Sequence, residues 1–335
     1  AALFEKSYLN YDNLADATRY LANELFGEYG LVIIDADNAD LKRLFIPHIE
    51  RELTGQVSHQ KVAETASLLK DYNVQVNPRD INLFYIEDGV RERIIAEGEE
   101  FIINNTDLRF SKDEVLKMLQ EHPERFSPNV IMRPLYQEVI LPNLCYIGGG
   151  GELAYWLELK SFFEASGVTF PILLLRNSVL LASRKQAEKL DALNLTWADM
   201  FDSQQNLLNK KTAEYSQHNL DFSSQKEALS KQFRALAEIA SHTHSSFAGA
   251  VSAQEKKQLK GLENLEKRLL RAEKKVHADK LKRISDIQDE LFPGKGLQER
   301  KANFSEFYLE HDGKLIEILL ATLKPLEQQF DTIVL

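Results

Sequence analysis

Residues 133–160, RPLYQEVILPNLCYIGGGGELAYWLELK, carry an apolar strand-like run that meets four consecutive glycines, Gly148 to Gly151, and then a helix opening on Glu152. Four adjacent glycines have a conformational-entropy cost that a merely connecting loop has no reason to bear. The loop is therefore expected to need positive φ angles or a close approach of its backbone to something else. Strand, glycine loop and helix together gather unpaired N–H groups and the positive end of the helix dipole around an anion. Here the spacing is neither G-x-G-x-x-G nor G-x-x-x-x-G-K-[ST], so neither nucleotide fingerprint is met. Glu152 already sets a carboxylate at the helix start, where it satisfies the dipole and repels a phosphate. Two readings follow: a loop that receives an uncharged or amino-bearing group, or a tight turn required by packing, with Glu152 as a helix-end charge.

Arg133, Gln137, Tyr146 and Tyr155 flank the loop, and Arg176 ends the next buried-strand candidate, PILLLRN from Pro171. Two arginines near a strand-end crevice suit a substrate with carboxylates, because the guanidinium fork binds them bidentately; either is equally suited to a structural ion pair. Nearer the start, Leu31 to Ile34 is a short apolar run ending at Asp35, with Asp37 and Asn38 as helix caps. The spacing of Leu41, Leu44, Phe45 and Ile49 predicts the helix that follows. Strand, acidic tip and helix are the units of an open α/β sheet, whose ligands sit at the carboxyl ends of strands, so Asp35 and Asp37 are candidates for chemistry as well as for capping. Cys145 lies inside an apolar strand pattern with no residue marked as its base, and reads as a buried, inert thiol. His242 and His244 lack a third ligand nearby, so no metal site is predicted.

Between 74 and 110, short β-rich runs are separated by Asp88-Gly89 and Glu97-Gly98, predicting a small antiparallel insertion with hairpin turns. Ser111 and Glu114 form a capping box for a helix ending near His122-Pro123. From Lys226 to Phe247 a 4-3 spacing marks a coiled-coil seam, and a second seam runs from Leu262 to Leu291 with an eight-residue skip between Val276 and Ile284. The pattern predicts a long antiparallel helical hairpin turning near His242 to Ser246, closed by LFPGKG. A last helix is expected over roughly 297–323, pausing at His311-Asp312-Gly313, before a terminal strand in FDTIVL.

With 335 residues, 44% of them hydrophobic, the chain is long enough for two structural units. The net charge of −10 argues against general nucleic-acid binding, which rests on neutralising phosphates. Eleven Lys and Arg against four Asp and Glu make 256–283 a local +7, leaving −17 for the remainder. Such a run is most often the solvated face of a coiled coil. No apolar run approaches the roughly 20 residues of a membrane span, and the single cysteine fits a reducing cytoplasm.

At 133–160 the sequence resembles bacillithiol synthase, the cysteine-adding enzyme family of bacillithiol biosynthesis. The matching residues are Arg133-Pro134, Gln137-Glu138, Leu141-Pro142, Tyr146-Ile147, Gly149, Gly151-Glu152, Ala154-Tyr155-Trp156 and Leu159-Lys160. LVIIDADNADLKRLFIP, GLENLEKRLLRAEKK and LFPGKGLQER extend the resemblance over essentially the whole chain. Gly150 stands where the family commonly has proline, and Cys145 where alanine is usual. The family's Thr-Gly-Gln-Gln and Glu-Asp-His-Asp stretches are not found, only superficial echoes at Thr54-Gly55-Gln56 and Glu87-Asp88. The chain is therefore expected to correspond to the C-terminal two thirds of a longer protein.

The resemblance implies an α/β, Rossmann-like core of nucleotidyltransferase type with a small β insertion, plus a C-terminal antiparallel coiled-coil hairpin that forms a homodimer. The expected division is 1–72 and 129–184 for the core, 73–128 for a connecting-peptide-like insertion and 185–295 for the hairpin. Residues 296–335 are expected to return to the core as helix and strand. The implied reaction joins cysteine through its carboxyl group to the amine of glucosaminyl malate. ATP or another nucleotide is expected as cosubstrate, because a free carboxylate does not form an amide at useful rates. Asp35, Asp37 and Glu152 are the catalytic candidates. Arg133, Gln137, Tyr146, Gly148, Gly149, Gly150, Gly151, Tyr155 and Arg176 are the substrate-binding ones. The alternative is a non-catalytic coiled-coil scaffold with a degenerate α/β domain.

Overall fold

Two glycines in the left-handed region, Gly89 (φ 76°) and Gly98 (φ 65°), close the hairpins that organise the first sheet. In the computed structural model, which describes residues 2–311 and 313–335, strands β1 (Leu83–Glu87), β2 (Val90–Glu97), β3 (Glu100–Ile103), β4 (Arg109–Ser111) and β5 (Phe126–Pro128) form an antiparallel sheet in the order β4-β3-β2-β1-β5. Glu87 pairs with Val90 and Glu97 with Glu100, so both turns are two-residue loops. The second loop is Gly98-Glu99, one residue later than the sequence reading. The predicted capping box is present: Ser111 N–H donates to Glu114 at 2.7 Å, and the helix Lys112–Glu121 ends at His122.

Strand alternation buries Leu83, Tyr85, Ile94, Phe101 and Ile103 against Phe45, Ile49, Leu53, Val115 and Leu119. Each fully buried apolar side chain contributes about 1.5–3 kcal/mol. The Leu41, Leu44, Phe45, Ile49 pattern resolves into two helices, Ala39–Arg43 and Ile46–Gly55, with Leu44 turned outward. Leu31 to Ile34, read as a strand, carries no regular secondary structure. A strand exists only where a ladder partner satisfies its backbone, whereas Leu31 N–H bonds back to Phe26 O, and Leu31 and Val32 are exposed.

The first part of the 133–160 stretch is also not a strand. Met132–Ile140 is a helix that accommodates Pro134 in its first turn, where no intrahelical N–H bond is lost, and it ends before Pro142. The strand follows as β6 (Cys145–Gly148), parallel to β7 (Ile172–Leu175), with the helices Gly150–Leu157 and Lys160–Ser166 between them. This strand–helix–strand crossover is the parallel α/β unit expected of the glycine loop. Cys145 is partly exposed rather than buried.

The chain divides into two units, Ala1–Arg176 and Asn177–Leu335. The sequence boundary at 184 falls later, because β8 (Ser178–Ala182) pairs in parallel with β9 (Phe330–Val334) inside the second unit. Gln298, buried, donates to Leu181 O and accepts from Leu181 N–H, both at 2.9 Å, in the manner of one more strand residue. The tail contains the helices Phe304–Glu310 and Leu315–Thr322, preceded by a 3-10 turn at Gln298–Arg300, instead of one helix from 297. The pause read at His311-Asp312-Gly313 includes Asp312, which lies outside the described residues.

The helices Ser223–Ser241 and Ser245–Val276 form the hairpin, turning at 242–244. Lys226 reaches Glu266 at 2.6 Å, and Ala240 packs with Val251, a descending correspondence that makes the pair antiparallel. His244 caps the second helix by accepting Ser246 N–H. At the eight-residue skip the helix breaks at His277, and a new helix, Ala278–Leu291, buries Leu281, Ile284, Ile287 and Leu291 against Leu180, Leu190, Met200 and Leu207. Nearby, Asp199 accepts from Lys210 at 2.7 Å and from Thr196 N–H, which holds its carboxyl well below the usual aspartate range. Its contribution is present at neutral pH and lost as pH falls through that depressed value.

Candidate active site at the glycine loop

The Met132–Ile140 helix sets Arg133, Tyr136 and Gln137 on one face by i, i+3, i+4 spacing. Arg133 donates to the Tyr155 hydroxyl and, at 3.3 Å, to Gln137 Oε1, and it is also hydrogen-bonded to Tyr146. Burial alone would lower the Arg133 pKa, but the Tyr155 and Tyr146 oxygens outweigh it and the net shift is upward. Tyr146 is pushed up by burial and by Glu152, against the pull of Arg133. Its ring stacks on Trp156 at 4.1 Å and 21°. Four of the residues picked out in the sequence thus meet in one hydrogen-bonded cluster beside the loop.

None of Gly148 to Gly151 has positive φ. The close approach is at Gly148, which ends β6 opposite Leu175. A Cβ there would lie 2.7 Å from Tyr146 Cε1 and 3.3 Å from Leu153 Cδ2. Gly149 is the N-cap, and its N–H donates to Glu152 Oε2 at 3.0 Å. Gly150 and Gly151 form the first helical turn. A Cβ on Gly151 would meet nothing within 4 Å, and one on Gly150 only Leu175. The loop thus combines a packing requirement at one end with open space at the other. Glu152 holds the N-cap N–H of Gly149, which disfavours a phosphate at the helix start. Arg176 follows β7, and its N–H donates to Gly148 O at 2.9 Å.

Neither acid of the 35–37 turn caps the next helix. Asn38 does, accepting from Asp40 N–H at 2.9 Å and Leu41 N–H at 3.2 Å. Asp35 accepts Asp37 N–H at 3.0 Å and faces Arg19 at 3.4 Å, and Asp37 pairs with buried Lys42 at 2.5 Å. Tyr136 donates to Ala36 O at 2.7 Å, so the acidic turn and the arginine cluster rest on the same helix. Burial, with Asp37 and Asp35 nearby, pushes Tyr136 up to about 12.

Three supporting residues carried no role in the sequence reading. Glu138, buried, accepts Asn143 N–H at 2.9 Å and Asn143 Nδ2 at 3.0 Å, which fixes the turn from the helix into β6. Glu158, also buried, accepts Gln75 N–H at 2.6 Å. Trp156 backs Tyr146 from a fully buried position. A buried glutamate looks like any surface glutamate in one dimension. The Gln137-Glu138 and Leu141-Pro142 spacing, which places an acid before a turn, was the only available signal.

Comparison with known proteins gives two family matches that together span the chain. Residues 1–177 match the N-terminal Rossmann-like domain of bacillithiol biosynthesis BshC, and residues 179–335 match its C-terminal coiled-coil domain. Proteins named provisionally as cysteine ligase BshC are similar along nearly the whole chain. The one from Flavobacterium johnsoniae is 62% identical over 99% of this chain and 63% of its own length, and the one from Flavobacterium psychrophilum is 59% identical over 99% and 62%. That from Christiangramia forsetii is 54% identical over 98% and 61%. The chain thus spans less than two thirds of the length of these relatives. From both domain matches and from these identities, the chain belongs to the BshC family of bacillithiol biosynthesis, with a Rossmann-like domain followed by a coiled-coil domain.

Proposed function

We propose that this chain supplies the glycine-loop site and the coiled coil of a ligase that joins L-cysteine to glucosaminyl malate. The observation that carries the reading is the convergence of Arg133, Gln137, Tyr146 and Tyr155 beside a helix start left open at Gly150 and Gly151. The cysteine carboxylate must first be activated by a nucleotide cosubstrate, as an acyl adenylate or acyl phosphate. The amine of glucosaminyl malate then attacks the acyl carbon, a C–N bond forms, the nucleotide or phosphate leaves, and the amine loses a proton. Asp35 or Asp37 is the candidate to take that proton. Glu152 and the Gly148 to Gly151 loop are suited to an amino-bearing group. Arg133 or Arg176 is suited to a malate carboxylate, since a guanidinium has five donors and Arg133 engages only part of its set within the cluster. Positioning and charge stabilisation supply most of the rate in such a site. In the intact enzyme, Glu152→Ala is expected to lower kcat/KM by about 100-fold, within the range for removing one site electrostatic contact. Full retained ligase activity would remove Glu152 from the site.

The hairpin is proposed to form a homodimer, and a reducing cytoplasm suits the lone, partly exposed thiol. The dimer reading is supported by seam residues left uncovered within one chain: Leu236, Phe247 and Leu265 are 42%, 46% and 53% exposed. A two-helix hairpin covers only part of a heptad surface. Light scattering on the purified chain is expected to give twice the chain mass, and Leu265→Glu to shift it toward the monomer. A monomeric mass for the unaltered chain contradicts the proposal. Among the described residues, no helix is long and apolar enough to cross a membrane.

A further inference from the structure

The second hairpin helix, Ser245–Val276, separates its charges by side. Between 256 and 275 it carries eight Lys and Arg against three glutamates, a local +5 in a chain of −10, which leaves −15 elsewhere. Leu262, Leu265, Leu269, Ala272 and Val276 keep the seam spacing. In that register Lys260, Lys267 and Lys274 recur every seven residues as one row, Lys257 and Arg271 share the next, and Arg268 and Lys275 the one beside it. No carboxylate stands in any of the three rows. The side covered by the first hairpin helix is marked by Glu266, which reaches Lys226 at 2.6 Å, and by Val251, which packs with Ala240. On the other side Lys257, Lys260, Lys267, Arg268, Arg271 and Lys275 are exposed. Lys260 pairs with Glu263 at 2.9 Å, but Lys257, Lys267, Arg268, Arg271 and Lys275 make no ion pair or hydrogen bond among the described residues.

A merely solvated helix face mixes signs, because like charges three and four residues apart repel one another. Arg271 has four such neighbours, Lys267, Arg268, Lys274 and Lys275. Anionic groups lying along the rows relieve that repulsion. The stripe is about 28 Å long at 1.5 Å per residue, and it lacks the aromatic side chains on which bases of a single strand stack. Six of its eight cations are lysines, whereas phosphate recognition favours the arginine fork. A duplex or a membrane surface also reaches well past the stripe, into the field of a chain that is −15 elsewhere, while a short segment ends where the stripe ends. Extended backbone covers about 3.3–3.6 Å per residue, so about eight residues span the stripe. We propose that this helix face docks an extended acidic segment of a partner protein, about eight residues long, its carboxylates lying along the Lys and Arg rows. The face lies within the second unit, uses no glycine-loop residue and is independent of the ligase reading.

The test is fluorescence anisotropy of fluorescein-labelled tetraglutamate, octaglutamate and hexadecaglutamate with the purified chain, in about 0.1 M NaCl, where the screening length is about 10 Å. Octaglutamate is expected to bind saturably, one peptide per chain, and about ten-fold or more tighter than tetraglutamate. Hexadecaglutamate should gain about three-fold at most, because its added carboxylates have no stripe to meet. Lys267→Gln, Arg271→Gln and Lys275→Gln together are expected to weaken octaglutamate by about ten-fold. Lys70→Gln, Lys112→Gln and Lys185→Gln, which change the net charge equally at exposed positions elsewhere, should alter it by less than about two-fold. Gln is nearly as good a helix former as Lys, and circular dichroism checks the fold. Should the stripe variant unfold, Arg271→Gln alone is expected to weaken octaglutamate by about two-fold to three-fold. Absence of saturable octaglutamate binding, equal effects of the two triple variants, or a short DNA duplex that binds more tightly than octaglutamate and is weakened by the stripe variant overturns the proposal, and the last of these assigns the face to nucleic acid.

Discussion

Replacing Trp156 with alanine is expected to lower the unfolding free energy of the first unit by about 3–5 kcal/mol, the range for emptying a buried aromatic site. Trp156 is fully buried, stacks on Tyr146 at 4.1 Å and meets Phe163 and Phe170 at 5.8 and 6.0 Å. Its removal takes apolar area from the core and leaves a void that three rigid rings cannot collapse into without leaving their rotamers. The indole N–H has no hydrogen-bond partner among the described residues, so Trp156→Phe removes volume without orphaning an acceptor and should cost well under half as much. Calorimetry on the three proteins checks the order, and the fluorescence of the remaining tryptophan, Trp197, follows the second unit separately. A loss below about 1 kcal/mol in the alanine variant would mean that the site closes up and that Tyr146 does not depend on the ring behind it. The effect extends to function because Tyr146 is hydrogen-bonded to Arg133. A Tyr146 ring without backing lets the arginine cluster drift, and displacements near 1 Å in a positioned site are costly to rate.

What could be read in the sequence was what is encoded locally. The Gly89 and Gly98 turns and the Ser111–Glu114 box each depend on a few adjacent residues and a φ angle or a cap, whereas the eight-residue skip marked a change of period without showing that the helix breaks at His277. The cluster of Arg133, Gln137, Tyr146 and Tyr155 was legible as a list because the residues lie close in sequence around one loop. Its wiring was not. That Arg133 bonds Tyr155, and that Asn38 rather than Asp35 or Asp37 caps the helix, depends on rotamers and on which helix lies beneath. Leu31 to Ile34 shows the limit from the other side. An apolar run states that a segment could pair, but pairing needs a neighbour that the run does not name. Glu52, Glu138 and Glu158 were invisible as buried carboxylates because their partners are backbone N–H groups, which every residue carries.

The Glu52 network gives the other large effect. Asn82 is completely buried and uses its whole side chain. Nδ2 donates to Ser58 Oγ and to Arg79 O, both at 2.7 Å, and Oδ1 accepts from Arg79 N–H at 3.2 Å and Asn129 Nδ2 at 2.9 Å. Asn82→Leu keeps the branched shape of the side chain and orphans those groups together. At about 1–3 kcal/mol for each that stays buried and unpaired, a loss of roughly 3–5 kcal/mol is expected after partial rescue by solvent at the Arg79 end. Asn82→Asp separates charge from shape. Its carboxylate cannot donate where Nδ2 did, and it lies beside the Glu52 carboxylate, whose Oε1 already accepts Asn82 N–H at 3.0 Å. Burial and a like charge both raise the folded pKa of the new acid above its unfolded value of about 3.9. The sign then follows: protons bind the folded variant more tightly, so its deficit relative to the unaltered chain is small in acid and grows as pH rises through about 4 toward the raised folded value. Urea midpoints measured across that range for all three proteins decide the matter, and a pH-independent deficit in Asn82→Asp would show that its carboxylate reaches water.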